Sequence, residues 1–162
     1  MVAEEETVVV DLGSAPSSDL TALYHRQHAA MVRLARLMTG SSALAEEIVQ
    51  EAFLKMHTAR EWPRNPDGYL RTAVANLARS QLRRRRLEER TPSAHESVSF
   101  DPEIDETWAA VCRLPFRQRA VLALRFYEDL SEAEIARVLE CRPGTVKSTL
   151  HRALAKLRRE LS

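Results

Sequence analysis

"LSEAEIARVLECRPGTVKSTLHRALAKLRRE", residues 130–160, holds two helical patterns hinged on Arg142, Pro143 and Gly144. Ser131 is placed to cap the first pattern, and Glu134, three residues on, can close a capping box. Ile135, Ala136 and Leu139 form its apolar face. Pro143 suits the first turn of the next helix, and Gly144 is expected to let backbones approach closely. On that second helix Val146, Leu150, Ala153, Leu154, Leu157 and Leu161 fall on one side. Thr145, Lys147, Ser148, His151, Arg152, Arg158 and Arg159 fall on the other. An apolar back with short and basic side chains in front is the form of a helix-turn-helix whose second helix enters a DNA major groove. The plainer alternative is a solvated amphipathic helix whose terminal arginines complement its dipole. That reading suits Arg158 and Arg159. Lys147, Ser148, His151 and Arg152 sit nearer the inserted end, and for them DNA is favoured. His151 has no second ligand spaced to join it in a metal site.

Outward from this motif the chain is helical in character. It has 162 residues, 44% hydrophobic but only 6% aromatic, with 4 glycines, and many Ala, Leu, Arg and Glu. The expected fold class is all-α, as two small helical domains joined by a flexible acidic linker. Residues 1–18 end in "GSAPSS" and read as a disordered acidic tail. Residues 19–90 form the first helical module. Within it "TGSS" at 39–42 is a stop followed by a cap, and "EWPRNPDG" at 61–68 is a loop. A long helix is expected from about Asp67 or Gly68 to Glu89. Residues 91–105 lack periodicity and read as the linker, and residues 106–162 form the second module.

The net charge of +1 hides segregation. Arg71, Arg79, Arg83 to Arg86 and Arg90 face only Glu88 and Glu89 in the long helix, whereas residues 91–107 carry acids and no Lys or Arg. Two basic blocks around an acidic one point to two polyanion-binding modules. Cys112 and Cys141 form no CxxC pair and no zinc spacing, so no metal or cofactor is expected. They read as free thiols of a reducing compartment. No apolar run has the length of a membrane span, and no basic-then-apolar leader opens the chain; a cytoplasmic protein without membrane insertion is expected. Nothing resembles a Walker-type glycine loop, a nucleophile motif or a metal-spaced carboxylate cluster, so no enzyme is expected.

The long helix packs Leu70, Ala73, Val74, Leu77 and Gln81 or Leu82 inward, leaving Arg71, Asn76, Arg79 and Arg83 largely outside. Asn76 can hydrogen-bond a base or a neighbouring helix. The adjoining loop places Trp62 near Arg60, Arg64 and Asn65, a set able to hold an unstacked base, although Trp62 could equally plug the core. The helix expected from about Ala43 to Thr58 buries Leu44, Ala45, Ile48, Val49, Ala52 and Met56. Glu46, Glu47, Gln50 and Glu51 lie opposite, with Leu54 projecting among them and Phe53 at the edge. Apolar residues rimmed by carboxylates mark a surface for a basic, apolar protein partner.

These stretches together resemble a known family. "AEEIVQEAFLKMH" (45–57), "YLRTAVANLARSQLRRRR" (69–86), an acidic linker, and "LPFRQRAVLALRFYEDLSEAEIARVLECRPGTVKSTLHRALAKLRREL" (114–161) resemble the sigma-70 family, in particular its extracytoplasmic-function (ECF) group, which keeps only regions 2 and 4. The resemblance implies an RNA polymerase sigma factor. Region 2 would bind the clamp helices of the polymerase beta-prime subunit through Glu46, Glu47, Gln50, Glu51, Phe53 and Leu54. Arg60, Trp62, Arg64, Asn65, Arg71, Asn76, Arg79 and Arg83 would hold the −10 element as a melted strand. Region 4 would read the −35 element through Arg142, Thr145, Lys147, Ser148, His151 and Arg152, and dock on the beta flap. Partners implied are core RNA polymerase, promoter DNA and an anti-sigma factor. Thr149 stands where the family usually has Arg, which implies one phosphate contact fewer. Gly68-Tyr69 replaces a common Trp-Leu, and Phe116 a frequent Pro. The rival reading is a helix-turn-helix transcription regulator with an N-terminal sensing or dimerisation domain. It leaves the acidic and basic helices without a purpose.

Overall fold

The structure, a computed structural model, describes residues 17–88 and 106–162. The expected linker, 91–105, and all but the end of the expected acidic tail lie outside the described residues. Among the latter there are seven α-helices and one π-helical turn, and no strand.

Helices α1 (Ser17–Thr39), α2 (Ser42–His57) and α3 (Pro66–Glu88) form the first unit. α1 begins two residues before the expected Asp19. It ends where Gly40 adopts φ +75°, a left-handed conformation that a side chain would strain, and Ser41 then accepts the Leu44 N–H at 3.2 Å to start α2. The loop before α3 ends in Asn65, whose Oδ1 accepts the Gly68 N–H at 3.0 Å and so caps that helix. A Cβ on Gly68 would stand 2.6 Å from the Asn65 amide nitrogen, so glycine makes room for the cap. Arg26 on α1 pairs with Asp67 at 3.1 Å, and Gln27 donates to the same carboxylate, tying the first turn of α3 to α1. The expected apolar stripe of α2 is fully buried, against Leu23, Leu34 and Met38 of α1 and Leu70 and Val74 of α3. Ala75 and Ala78 of α3 are buried as well, which widens the inward face beyond the expected stripe, while Ala73, Gln81 and Leu82 are half-buried.

The second unit comprises α4 (Glu106–Cys112), α5 (Phe116–Leu122), a π-turn (Ala123–Tyr127), α6 (Glu132–Val138) and α7 (Pro143–Leu161). Ser131 and Glu134 form the expected capping box in both directions, at 3.2 and 2.7 Å. Pro143 opens α7. Two expectations for α7 change. Gly144 has open space on its outer side, with no atom of the described residues within 4 Å of a built Cβ, so it serves no backbone packing among them. Leu161 is exposed, because the last turn runs past the helices that cover the rest of the stripe.

The two units are packed against each other over a continuous apolar core that runs from α1–α3 into Ala120, Val121, Leu124, Leu130 and Ile135. The polar ties are specific. Tyr127 on the π-turn donates to the Ala30 carbonyl at 3.2 Å and accepts from Arg33 at 2.9 Å. Arg119 of α5 donates to the Met38 carbonyl at the end of α1 (3.0 Å) and to the Cys112 carbonyl (2.9 Å). Arg36 lies over the Trp108 ring at 5.7 Å, a cation–π contact.

Candidate nucleic-acid interface

α7 sorts its residues by face. Val146, Thr149 and Ala153 are buried, at the i, i+3, i+7 spacing that keeps one side inward. Arg142, Lys147, Ser148, His151 and Arg152 are exposed, and Thr145 is half-buried beside them. Gly144, Lys147, Ser148, His151 and Arg152 line one open concavity of about 590 Å³. Ser148 donates to the Thr145 carbonyl (3.1 Å) and Arg152 to the Ser148 carbonyl (3.3 Å), interactions along the helix that leave the face unobstructed. Thr149 is only 3% exposed and belongs to the inward side.

The α3 face is arranged differently. Arg60, Arg64 and Asn65 are exposed on the loop, and Arg83 is exposed farther along the helix. Trp62 is half-buried and packs against the core, which agrees with its plug role. Arg71, Asn76 and Arg79 are not largely outside, as the sequence had them. Arg71 forms a 2.8 Å ion pair with Glu128, just after the π-turn, with both side chains mostly covered. The Asn76 Oδ1 accepts from Arg79 at 2.7 Å. Arg79 also donates to the Leu139 carbonyl at 3.4 Å and lies 3.8 Å from Glu140, in the hinge of the helix-turn-helix. The second unit covers this part of α3, a long-range arrangement that helical periodicity cannot report. Glu128 and Tyr127 are the residues that sequence reasoning missed; nothing local marks them, because "LRFYED" continues a helical pattern.

On α2, Glu46, Glu47 and Gln50 are exposed, Glu51 is half-buried, and Leu54 stands out at 62% exposure. Lys55 pairs weakly with Glu51 at 3.8 Å and His28 lies 3.7 Å from Glu46. Phe53, expected as a surface residue at the edge, is 7% exposed. Tyr24 of α1 lies over it with ring centroids 5.1 Å apart, and is itself 43% exposed. Tyr24 therefore presents the aromatic surface expected of Phe53.

Burial holds the Cys112 thiol above the ordinary cysteine range, so it is a poor thiolate. Among the described residues no group of acidic, His and Cys side chains could hold a metal, and no helix is long and apolar enough to cross a membrane.

Comparison with known proteins agrees with this architecture. The family model described as "Sigma-70 region 2" matches residues 23–88, and that described as "Sigma-70, region 4" matches residues 104–157. The RNA polymerase sigma-E factor of Streptomyces avermitilis is 36% identical over 143 residues, 82% of this chain and 79% of that protein. The ECF RNA polymerase sigma factor SigM of Mycobacterium tuberculosis is 32% identical over 148 residues, 86% of this chain and 75% of that protein. In fold, the chain is similar to the sigma factor RpoE crystallised with the anti-sigma factor NepR from Bartonella quintana, with a TM-score of 0.73, 22% identity, and 89% of this chain and 97% of that one covered. It is also similar to CnrH in complex with the cytosolic domain of CnrY, with a TM-score of 0.65, 23% identity, and coverage of 91% and 90%. A basic helix-turn-helix packed behind a basic α3 and an acidic α2, in the order and over the lengths of these relatives, leaves one conclusion: the chain belongs to the sigma-70 family, as an RNA polymerase sigma factor of the ECF type.

Proposed function

We propose that this sigma factor works as a detachable adaptor in the cytoplasm, carrying out no chemistry itself and lending core RNA polymerase its promoter grip. The exposed acidic rim of α2 around Leu54, with Tyr24, takes the basic clamp helices of the beta-prime subunit. α7 enters the major groove at the −35 element, with Lys147, Ser148, His151 and Arg152 toward base edges and phosphates and Arg142 and Thr145 at its mouth. The second unit also docks on the beta flap. Arg60, Arg64 and Asn65 of the loop, with Arg71, Asn76, Arg79 and Arg83 of α3, hold the melted −10 strand, while Trp62 packs against the core and steadies the loop. The observation that carries this reading is the open, basic, polar front of α7 over a buried apolar back.

Duplex opening then needs no catalytic group. A protein that binds the unstacked strand better than the duplex shifts the equilibrium, against a cost of roughly a few kcal/mol per flipped base. Polymerase holds both units at promoter spacing, so two weak sites act together through effective concentration. An anti-sigma factor is a further partner, supported by the likeness to a sigma factor crystallised with one. Gel filtration of the purified chain with purified core polymerase tests the reading: co-elution is expected, and separate elution at micromolar concentrations would refute it.

A further inference from the structure

We propose that the concavity beside α7 holds a subsite for one −35 base edge that carries an exocyclic amino group, with Gly144 giving it room and Glu132 accepting its hydrogen bond. The inference rests on the assignment of α7 to the −35 element. Among the described residues Gly144 has no reason to be glycine. Its φ is not positive, and no atom of those residues lies within 4 Å of a built Cβ. Glycine within a helix is less favourable than alanine, because it loses more backbone freedom on folding. Its position supplies a reason outside the chain. Gly144 heads the row that Lys147, Ser148, His151 and Arg152 continue at i+3, i+4, i+7 and i+8, so it shares their face. The missing side chain lets a base edge come against the helix backbone there, and α7 sits deeper in the groove.

Glu132 decides what enters that space. It lines the same concavity as Gly144, Lys147, Ser148, His151 and Arg152, and is the one acid among its described lining residues. Glu134, in the same turn, is held by Ser131, whereas half-buried Glu132 makes no hydrogen bond or ion pair among the described residues. A carboxylate only accepts hydrogen bonds, so it repels a phosphate and rejects guanine O6 and thymine O4, which are acceptors too. The major-groove groups that suit it are amino groups, N4 of cytosine and N6 of adenine. The basic residues of the row attract DNA of any sequence. Glu132 lowers that attraction and adds discrimination by repelling the wrong bases.

The test uses holoenzyme assembled from core polymerase and the full-length chain. It reads binding to promoters randomised across the −35 element by sequencing the bound templates. Wild type, Gly144→Ala, Glu132→Ala and Lys147→Ala are compared, each melted to verify folding. The wild type is expected to prefer cytosine or adenine at one position, and the library shows which. Glu132→Ala should lose at least about fivefold discrimination there, the range of a single base contact, and keep the other positions as they were. Gly144→Ala should bind the selected promoter at least about fivefold more weakly at an unchanged or higher melting temperature. It should bind a forked −10 template that lacks the −35 duplex as wild type does. The proposal is overturned by no such preference in the wild type, by intact discrimination or an even change over all positions in Glu132→Ala, or by wild-type affinity in Gly144→Ala. If Gly144→Ala melts lower than wild type, the Glu132→Ala library decides alone. Lys147→Ala separates the subsite from the assignment it rests on. Weaker binding by Lys147→Ala with no effect of the other two keeps α7 on the −35 element and removes the subsite; no effect of any of the three removes α7 from the −35 element, subsite included.

Discussion

Lys147 is a basic residue on a face of α7 that none of the described residues covers. If it contacts a phosphate, Lys147→Ala weakens promoter binding by the holoenzyme equally across −35 sequences, and the slope of log affinity against log salt falls by about 1. Titration of binding against salt checks this; an unchanged slope removes Lys147 from the interface. Two carboxylates make stability depend on pH. For Glu134, the backbone hydrogen bond from Ser131 leads in holding its carboxyl below the usual glutamate range. For Asp67, burial pushes upward but is outweighed by hydrogen bonds from Arg26 and Gln27 and the charge of Arg26, and the net direction is downward. A carboxyl depressed in the folded state contributes stability above its unfolded pKa and loses it as pH falls through the folded one. Thermal stability should thus be level near neutrality and decline below about pH 4. Glu134→Gln keeps the capping box, which Gln also closes, and should make that decline shallower in a melting series. An identical decline would show that Glu134 takes no part.

α2 tests the division between fold and partner at the scale of one element. Leu54→Glu is expected to cost about 2 kcal/mol or more of polymerase affinity, the range of an interface hot spot, with little change in Tm. Gel filtration and melting together check it; unchanged affinity would move the docking surface elsewhere. On α3, Gly68→Ala should force the Asn65 side chain out of its cap, costing about 1 kcal/mol of stability, read as a lower midpoint in urea. These elements were legible because each buries one stripe of local sequence. The apolar residues of α2 at helical spacing, the Ser131–Glu134 box and the Pro143 start all follow from neighbours within a few residues. Phe53 was misplaced for the converse reason: it is covered by Tyr24 from another helix.

For the whole molecule, the closed packing of the two units had no signal in the sequence. Arg71 reads as an outward-facing residue of the long helix and nothing marks Arg119, yet each is partly buried against the other unit, and the π-turn that sets the approach looks like uninterrupted helix. The candidate site was consequently legible in its residue types and in its open α7 face, and illegible where one unit covers the other. On the proposed division of labour, with one promoter element to each unit, specificity should emerge only on polymerase. Transcription by purified core polymerase on a library of randomised promoters, with and without the full-length chain, measures this directly. The account predicts transcripts that arise only when the chain is present, from templates sharing a −35 and a −10 element at fixed spacing. Initiation at the same templates and to the same extent without the chain would contradict it.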